Sequence, residues 1–270
     1  MRLSTKICEV FSRRETRGKD VGVEIEVETD ASLPSTDCFE DSLWKKVRDG
    51  SLRGGDNGEF VLRTPLSESK AIEAVEWLKR KLIISRSVVS DSVRAGVHIH
   101  LNCRSLTVKQ LWTFVTCYYI LEETLTDFCG EGRQGNHFCL RAMDADFVVT
   151  KVLEAISSDD LFCLMNNDLR YAALNFNALY KFGSLEFRQL RTPTDLSKVG
   201  DWIKILGTVK RNSLLYDNPQ SVIENFSFGG EEGFFNAMLE GHQHLLEFNE
   251  HKLQRGIRVA QDIGYAREWD

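Results

Sequence analysis

Three short segments of this chain alternate apolar residues with ionisable ones, which restricts it to folds whose sheet has one buried face and one chemically active face. In VGVEIEVET, residues 21–29, Val23, Ile25 and Val27 interleave with Glu24, Glu26 and Glu28. This is the period-2 pattern of a half-buried strand. GVHIHLN (96–102) sets Val97, Ile99 and Leu101 against His98, His100 and Asn102, and GSLEFRQL (183–190) sets Leu185 and Phe187 against Glu186 and Arg188. Helical spacing lies between and after them. Ala71, Val75, Leu78 and Leu82 recur every three or four residues within 67–84, 106–128 behaves likewise, and 195 to about 261 also reads as helix. The strands are too far apart in sequence for hairpins throughout. The expected fold class is therefore α+β: an antiparallel or mixed curved sheet with helices on its apolar face and a concave charged face opposite.

Composition narrows the function classes. With 42% hydrophobic and 27% charged residues and only 4 prolines in 270, the chain can bury a sizeable core, and no repeat or linker interrupts it, so one domain over 1–270 is expected. A net charge of −6 provides no long-range attraction for a polyanion, which argues against general nucleic-acid binding. The longest apolar run, Leu111 to Leu121, is about half of what a bilayer span needs, and the polar amino-terminal segment has no signal-peptide core. Seven cysteines without a CxxC pair read as mostly buried thiols in a reducing compartment. A cytoplasmic protein without a membrane partner is expected.

Same-face neighbours two apart on a strand put the Glu24 and Glu26 carboxylates within roughly 5 to 7 Å. At an effective dielectric of about 20 their repulsion is about 2 to 3 kcal/mol, so a cation or solvent must compensate. His98 and His100 form a second same-face pair able to meet a divalent ion or a phosphate oxygen, although an ordinary surface pair is the plainer alternative. The HxH does not fit a cupin, which needs a following Glu, nor a histidine-triad hydrolase, which needs a third His where Asn102 stands. Glu186, Arg188 and Arg191 combine a carboxylate with guanidiniums, an arrangement suited to a metal–nucleotide triphosphate or to a simple ion pair. The segment 49–65, DGSLRGGDNGEFVLRTP, adds a glycine-rich turn running into a short strand bearing Glu59.

Taken in order, GVEIEVE, DGSL, GEFVLRTPL, GVHIHL, RYAALNF and GSLEFRQLRTPTD followed by WIKIL resemble the amidoligase family of the carboxylate–amine ligase superfamily, which is related to glutamine synthetase and glutamate–cysteine ligase. The resemblance covers residues 21 to about 206. It implies a glutamine-synthetase-like catalytic fold. It also implies that Glu24, Glu26, Glu59, His98 and Glu186 ligate divalent metal, that His100 faces the nucleotide phosphates, and that Arg188 grips phosphate. By the same likeness Arg170 and Asn175 of RYAALNF lie near substrate or nucleotide, Ser51 of DGSL joins the nucleotide-binding set, and Arg191 joins the catalytic one. RQGNHFC (133–139) resembles the family's Arg-and-Cys segment and makes His137 a further candidate.

The implied activity is an ATP-dependent ligase that activates a small-molecule or peptide carboxylate as an acyl phosphate, with Mg²⁺ or else Mn²⁺, and joins it to an amine. No serine or cysteine nucleophile is required. A phosphotransferase on a related sheet, like the guanidino kinases, and a non-catalytic nucleotide-binding module are the alternatives. His242, His244 and His251 read as surface residues of a helix, and Trp112, Tyr118 and Tyr119 as core.

Overall fold

The computed structural model describes residues 2–15, 18–53, 56–130 and 139–269, so His137 lies outside the described residues. Six strands form one sheet: β1 (Val21–Thr29), β2 (Trp44–Val47), β3 (Asp56–Leu62), β4 (Val97–Asn102), β5 (Leu174–Asn175) and β6 (Ser184–Phe187). Their order is β2-β3-β1-β4-β6-β5. Every neighbouring pair is antiparallel, so of the two sheet types expected it is the antiparallel one that forms.

The alternation does what period 2 requires. Val23, Ile25, Val27, Val97, Ile99, Leu101, Leu185 and Phe187 are almost fully buried on one side. Against this side pack helices drawn from α2 (Glu68–Ile84), α3 (Val108–Phe128) and α6 (Ser197–Ser213). The stripe Ala71, Ala74, Val75, Leu78 and Leu82 is the buried face of α2. Helix α3 is buried on nearly every side, as expected of a helix whose residues are apolar all round. Its Trp112, Tyr118 and Tyr119 are core residues, and the Phe114 and Tyr118 rings meet Phe187 of the sheet at 6.0 and 5.4 Å between centroids.

The remaining helices are α1 (Ile7–Val10), α4 (Asp146–Ser157), α5 (Asn177–Phe182), α7 (Pro219–Met238) and α8 (Glu250–Gly264), eight among the described residues. The carboxyl-terminal third is thus three helices with breaks. Asn218 caps α7 with Pro219 at its first position, and Gly230 at φ 71° interrupts it. His242 and His244 do not sit in a long helix, because Gly241 at φ 80° turns the chain into a short 3₁₀ segment, Gln243–Leu245. Five of the seven cysteines are buried. No helix among the described residues is long and apolar enough to cross a membrane.

Candidate active site

Cross-strand register assembles the ionisable residues. Glu24 of β1 stands opposite His98 of β4, Glu26 opposite Glu59 of β3, and His100 opposite Glu186 of β6. Asn175 of β5 continues the last row. Because neighbouring strands place directly opposed side chains about 5 Å apart, three segments separated by more than 70 residues become one cluster. His98 Nδ1 lies 3.2 Å from Glu24 Oε2 and 3.6 Å from Glu186 Oε1. His100 Nε2 lies 3.5 Å from Glu24 Oε1, and the other ring nitrogen lies 3.2 Å from Ser184 Oγ. Asn175 Nδ2 donates to Glu186 Oε2 at 2.7 Å.

Arg188 forms an ion pair with Glu186 through Nη1, which also lies 3.5 Å from His98 Nδ1. The His98 nitrogen cannot donate to Glu24 and accept from Arg188 at once, and the shorter contact is to Glu24. The Arg188 Nε is buried without a hydrogen-bond partner. Glu26 is held differently: the Gly96 amide donates to its Oε2 at 2.6 Å, and the Thr192 hydroxyl donates to its backbone carbonyl at 2.7 Å.

A break in the β4–β6 register positions Arg188. Ile99 pairs with Phe187, but Gly96 bridges to Arg191 and the Val97 amide donates to the Leu190 carbonyl, so the second strand carries one extra residue in this stretch. Such a bulge re-aims side chains. Arg188 stays with the cluster, whereas Gln189 turns under the sheet to donate to the Glu122 carbonyl and the Thr126 hydroxyl of α3.

The carboxylates are not equivalent. Burial acts to raise the Glu24 carboxyl, yet hydrogen bonds and charge from His100 and His98 outweigh it and hold it well below the usual carboxylate range. Glu186 is also lowered, with burial overcome by Arg188, His98 and His100. Glu26 is raised, chiefly by burial. Glu59 is pushed up to about 7 by burial and then by the charges of Glu24 and Glu26. No ion pair to Glu59 is present among the described residues. His100 is raised: burial opposes its charge, but Glu24 and Glu186 more than compensate.

These shifts fix a sign. A carboxyl raised from 4.5 to about 7 makes the folded state hold more protons than the unfolded chain across that window, so stability contributed by protonated Glu59 is lost as pH rises through it. Buried Glu122, pushed up to about 8 by burial, adds to the same slope. Glu59→Gln is expected to flatten the decline of the melting temperature between pH 5 and 7.5 in EDTA and to stabilise the metal-free protein at pH 8. A variant that follows the native curve would place Glu59 in solvent.

Two trios have donor atoms within 4.8 Å of one another: Glu24, His100 and Glu186, and Glu24, Glu59 and His98. Both share Glu24, and both combine two carboxylates with one imidazole, a set able to take a divalent ion. The other sequence candidates make their contacts outside these trios. Arg191 donates to the Ser92 carbonyl and pairs with Asp91, on the loop before β4. Arg170 is exposed at the end of a 3₁₀ turn, with its guanidinium 4.5 Å from the Tyr171 ring centroid, and makes no hydrogen bond or ion pair with the cluster. The Ser51 amide donates to Asp49, and its carbonyl accepts from Arg94. Ser184 and the Gly96 amide were missed from sequence, since only the register reveals what they face.

The antiparallel sheet thus brings carboxylates, imidazoles and a guanidinium together in one cluster. The sequence profile of the family described as "putative amidoligase enzyme" matches residues 27–208, and the chain belongs to that family. The match includes Glu59, His98, His100, Asn175, Glu186 and Arg188 and begins just after Glu24 and Glu26. No curated protein matches the chain.

Proposed function

We propose that the protein is an ATP-dependent carboxylate–amine ligase working on a glutamine-synthetase-like sheet, forming an amide through an acyl phosphate. The observation that carries this reading is the concentration of Glu24, Glu26, Glu59 and Glu186 around two histidines and Arg188, with no ion pair to Glu59 among the described residues. A divalent metal in the Glu24 trios would supply the missing positive charge and neutralise phosphate oxygens. Mg²⁺ suits the carboxylates, and the imidazole in each trio makes Mn²⁺ the convenient probe.

The chain's own groups then divide the work. Arg188, fixed by Glu186 through Nη1, would grip a transferring phosphate with the rest of its guanidinium. Glu186 is itself fixed by Asn175, so the guanidinium is oriented from two sides. A substrate carboxylate takes the γ-phosphoryl group and ADP leaves. The amine attacks the acyl carbon, loses a proton, and inorganic phosphate departs. Catalysis here is positioning and electrostatics, as phosphoryl transfer generally requires. Arg170, Arg191 and Ser51 enter this reading only as contacts for the substrate's outer parts.

Mass spectrometry of products from the protein incubated with MgATP and pooled carboxyl and amino donors is the test. A product equal to donor plus amine minus water supports the ligase. A phosphorylated compound released without any amine overturns it in favour of a kinase. ATP binding by calorimetry is expected to weaken by at least tenfold in EDTA, and equal affinity with and without Mg²⁺ would remove the metal from the reading.

A further inference from the structure

We propose that Gln189 is a positioning residue for Arg188: its side chain, hydrogen-bonded to α3 beneath the sheet, fixes the bulge from which Arg188 reaches the carboxylate cluster. The proposal rests on the ligase reading for what Arg188 does there and adds a residue to it.

Gln189 is completely buried. Phe187 and Leu190, close by in the chain, both belong to the hydrophobic core, so an apolar side chain would suit the place. The chain buries an amide there instead. Its Nε2 donates to the Thr126 hydroxyl at 2.8 Å and to the Glu122 carbonyl at 3.3 Å, while its Oε1 has no hydrogen-bond partner among the described residues. A buried amide with one end unsatisfied is costly, and methionine would fill a similar volume without that cost.

What the amide supplies is direction. Apolar burial is non-directional, whereas hydrogen bonds to two points one turn apart on α3 fix where the Gln189 side chain ends. Those points are themselves held: the Thr126 hydroxyl donates to the Glu122 carbonyl at 2.7 Å, and α3 is the helix buried on nearly every side. The backbone of the bulge is tied on both flanks, since the Arg188 amide donates to the Ala173 carbonyl at 2.9 Å and the Leu190 carbonyl accepts from the Val97 amide at 2.8 Å. Between these ties Gln189 makes no backbone hydrogen bond among the described residues, as expected where a bulge leaves a residue without a ladder partner. Its side chain is therefore the middle anchor. With that anchor set, the backbone rotation at Arg188 is set too, and with it the reach of Nη1 to Glu186 and to within 3.5 Å of His98 Nδ1. Asn175 steadies Glu186 from the cluster's own face, and Gln189 steadies Arg188 from the face opposite.

Gln189→Met and Thr126→Val, which remove the shorter hydrogen bond from opposite ends, test this in the full chain. Gln189→Met should melt no lower than the native chain in EDTA and bind Mn²⁺ as the native chain does. In both variants ADP release at saturating MgATP should nevertheless fall by about tenfold, the effect of a misaimed group. Thr126→Ser, which keeps the hydroxyl, should retain native release. In an Arg188→Lys background Gln189→Met should cost less than about threefold more, because a residue acting through Arg188 then has nothing left to position. In heteronuclear magnetic resonance spectra of the isotope-labelled, metal-free chain, the Arg188 Nε–H signal, identified by its loss in Arg188→Lys, should shift or broaden in both variants. An unchanged signal, native ADP release, or an equal loss in both backgrounds would each overturn the proposal. A lower melting temperature accompanied by lost Mn²⁺ binding would do so as well, since it would make Gln189 merely structural. If Gln189→Met fails to fold, Thr126→Val answers from the helix side. A native chain that forms no amide defeats the ligase reading, and the Arg188 signal then decides the positioning by itself.

Discussion

Glu24→Gln is expected to lower Mn²⁺ affinity by at least a hundredfold, because this one side chain belongs to both donor trios and no neighbour can replace it in either. Electron paramagnetic resonance of free Mn²⁺ in a titration reads the loss directly. The same change should destabilise the metal-free protein at pH 7. The Glu24 carboxyl is held low by His100 and His98, so its contribution is present above its ordinary value of 4.5 and is lost only as pH falls below that, and glutamine forfeits it. Glu26→Gln is the control with the opposite signature. Glu26 is raised by burial, and a glutamine oxygen can still accept the Gly96 amide, so metal-free stability should be unchanged or improved while turnover is lost. If Glu24→Gln binds Mn²⁺ as the native chain does, the donor set has been drawn around the wrong residue.

Arg188→Lys is expected to leave the fold intact and reduce ADP release by on the order of a hundredfold, about 3 kcal/mol of transition-state stabilisation. The ammonium keeps the charge beside Glu186 but has no second, planar donor to offer a phosphate. Circular dichroism confirms folding, and ADP release in a mixture that supports turnover gives the rate. A folded variant with native ADP release would reduce Arg188 to the ion-pair partner of Glu186.

Much of this site was legible in the sequence because it lies on strands whose alternation is uninterrupted. Val23, Ile25 and Val27 had to face inward, which sent Glu24, Glu26 and Glu28 outward, and the same logic oriented His98, His100 and Glu186. The helix read over 67–84 is found as Glu68–Ile84. Alternation says which face a side chain occupies and nothing about which strand lies beside it. The pairing of Glu26 with Glu59, and hence the elevated Glu59, therefore needed the structure. β2, WKKV, has no apolar alternation, β5 has only two residues, and α4 was not read at all. RYAALNF divides between a 3₁₀ turn and β5, which is why Asn175 reaches Glu186 while Arg170 does not join it. Arg191 was read as one strand with Glu186, but that strand ends at Phe187, and the Arg191 guanidinium is drawn to the Ser92 carbonyl and Asp91 instead.

The break in the β4–β6 register means the segment after Phe187 is written in two reading frames. Upstream of the extra residue even-numbered positions face the cluster, and downstream the parity is exchanged, as Arg191 opposite Gly96 records. Removing any one residue from 188–190 would erase the offset and shift the chain that leads into α6 by one place against Ala95 and Gly96, separating Thr192 from the Glu26 carbonyl it holds. Substitutions at these three positions act one side chain at a time, but a single deletion would act on the whole downstream edge. Among variants of this chain, length in this segment should therefore be far less free to vary than residue identity.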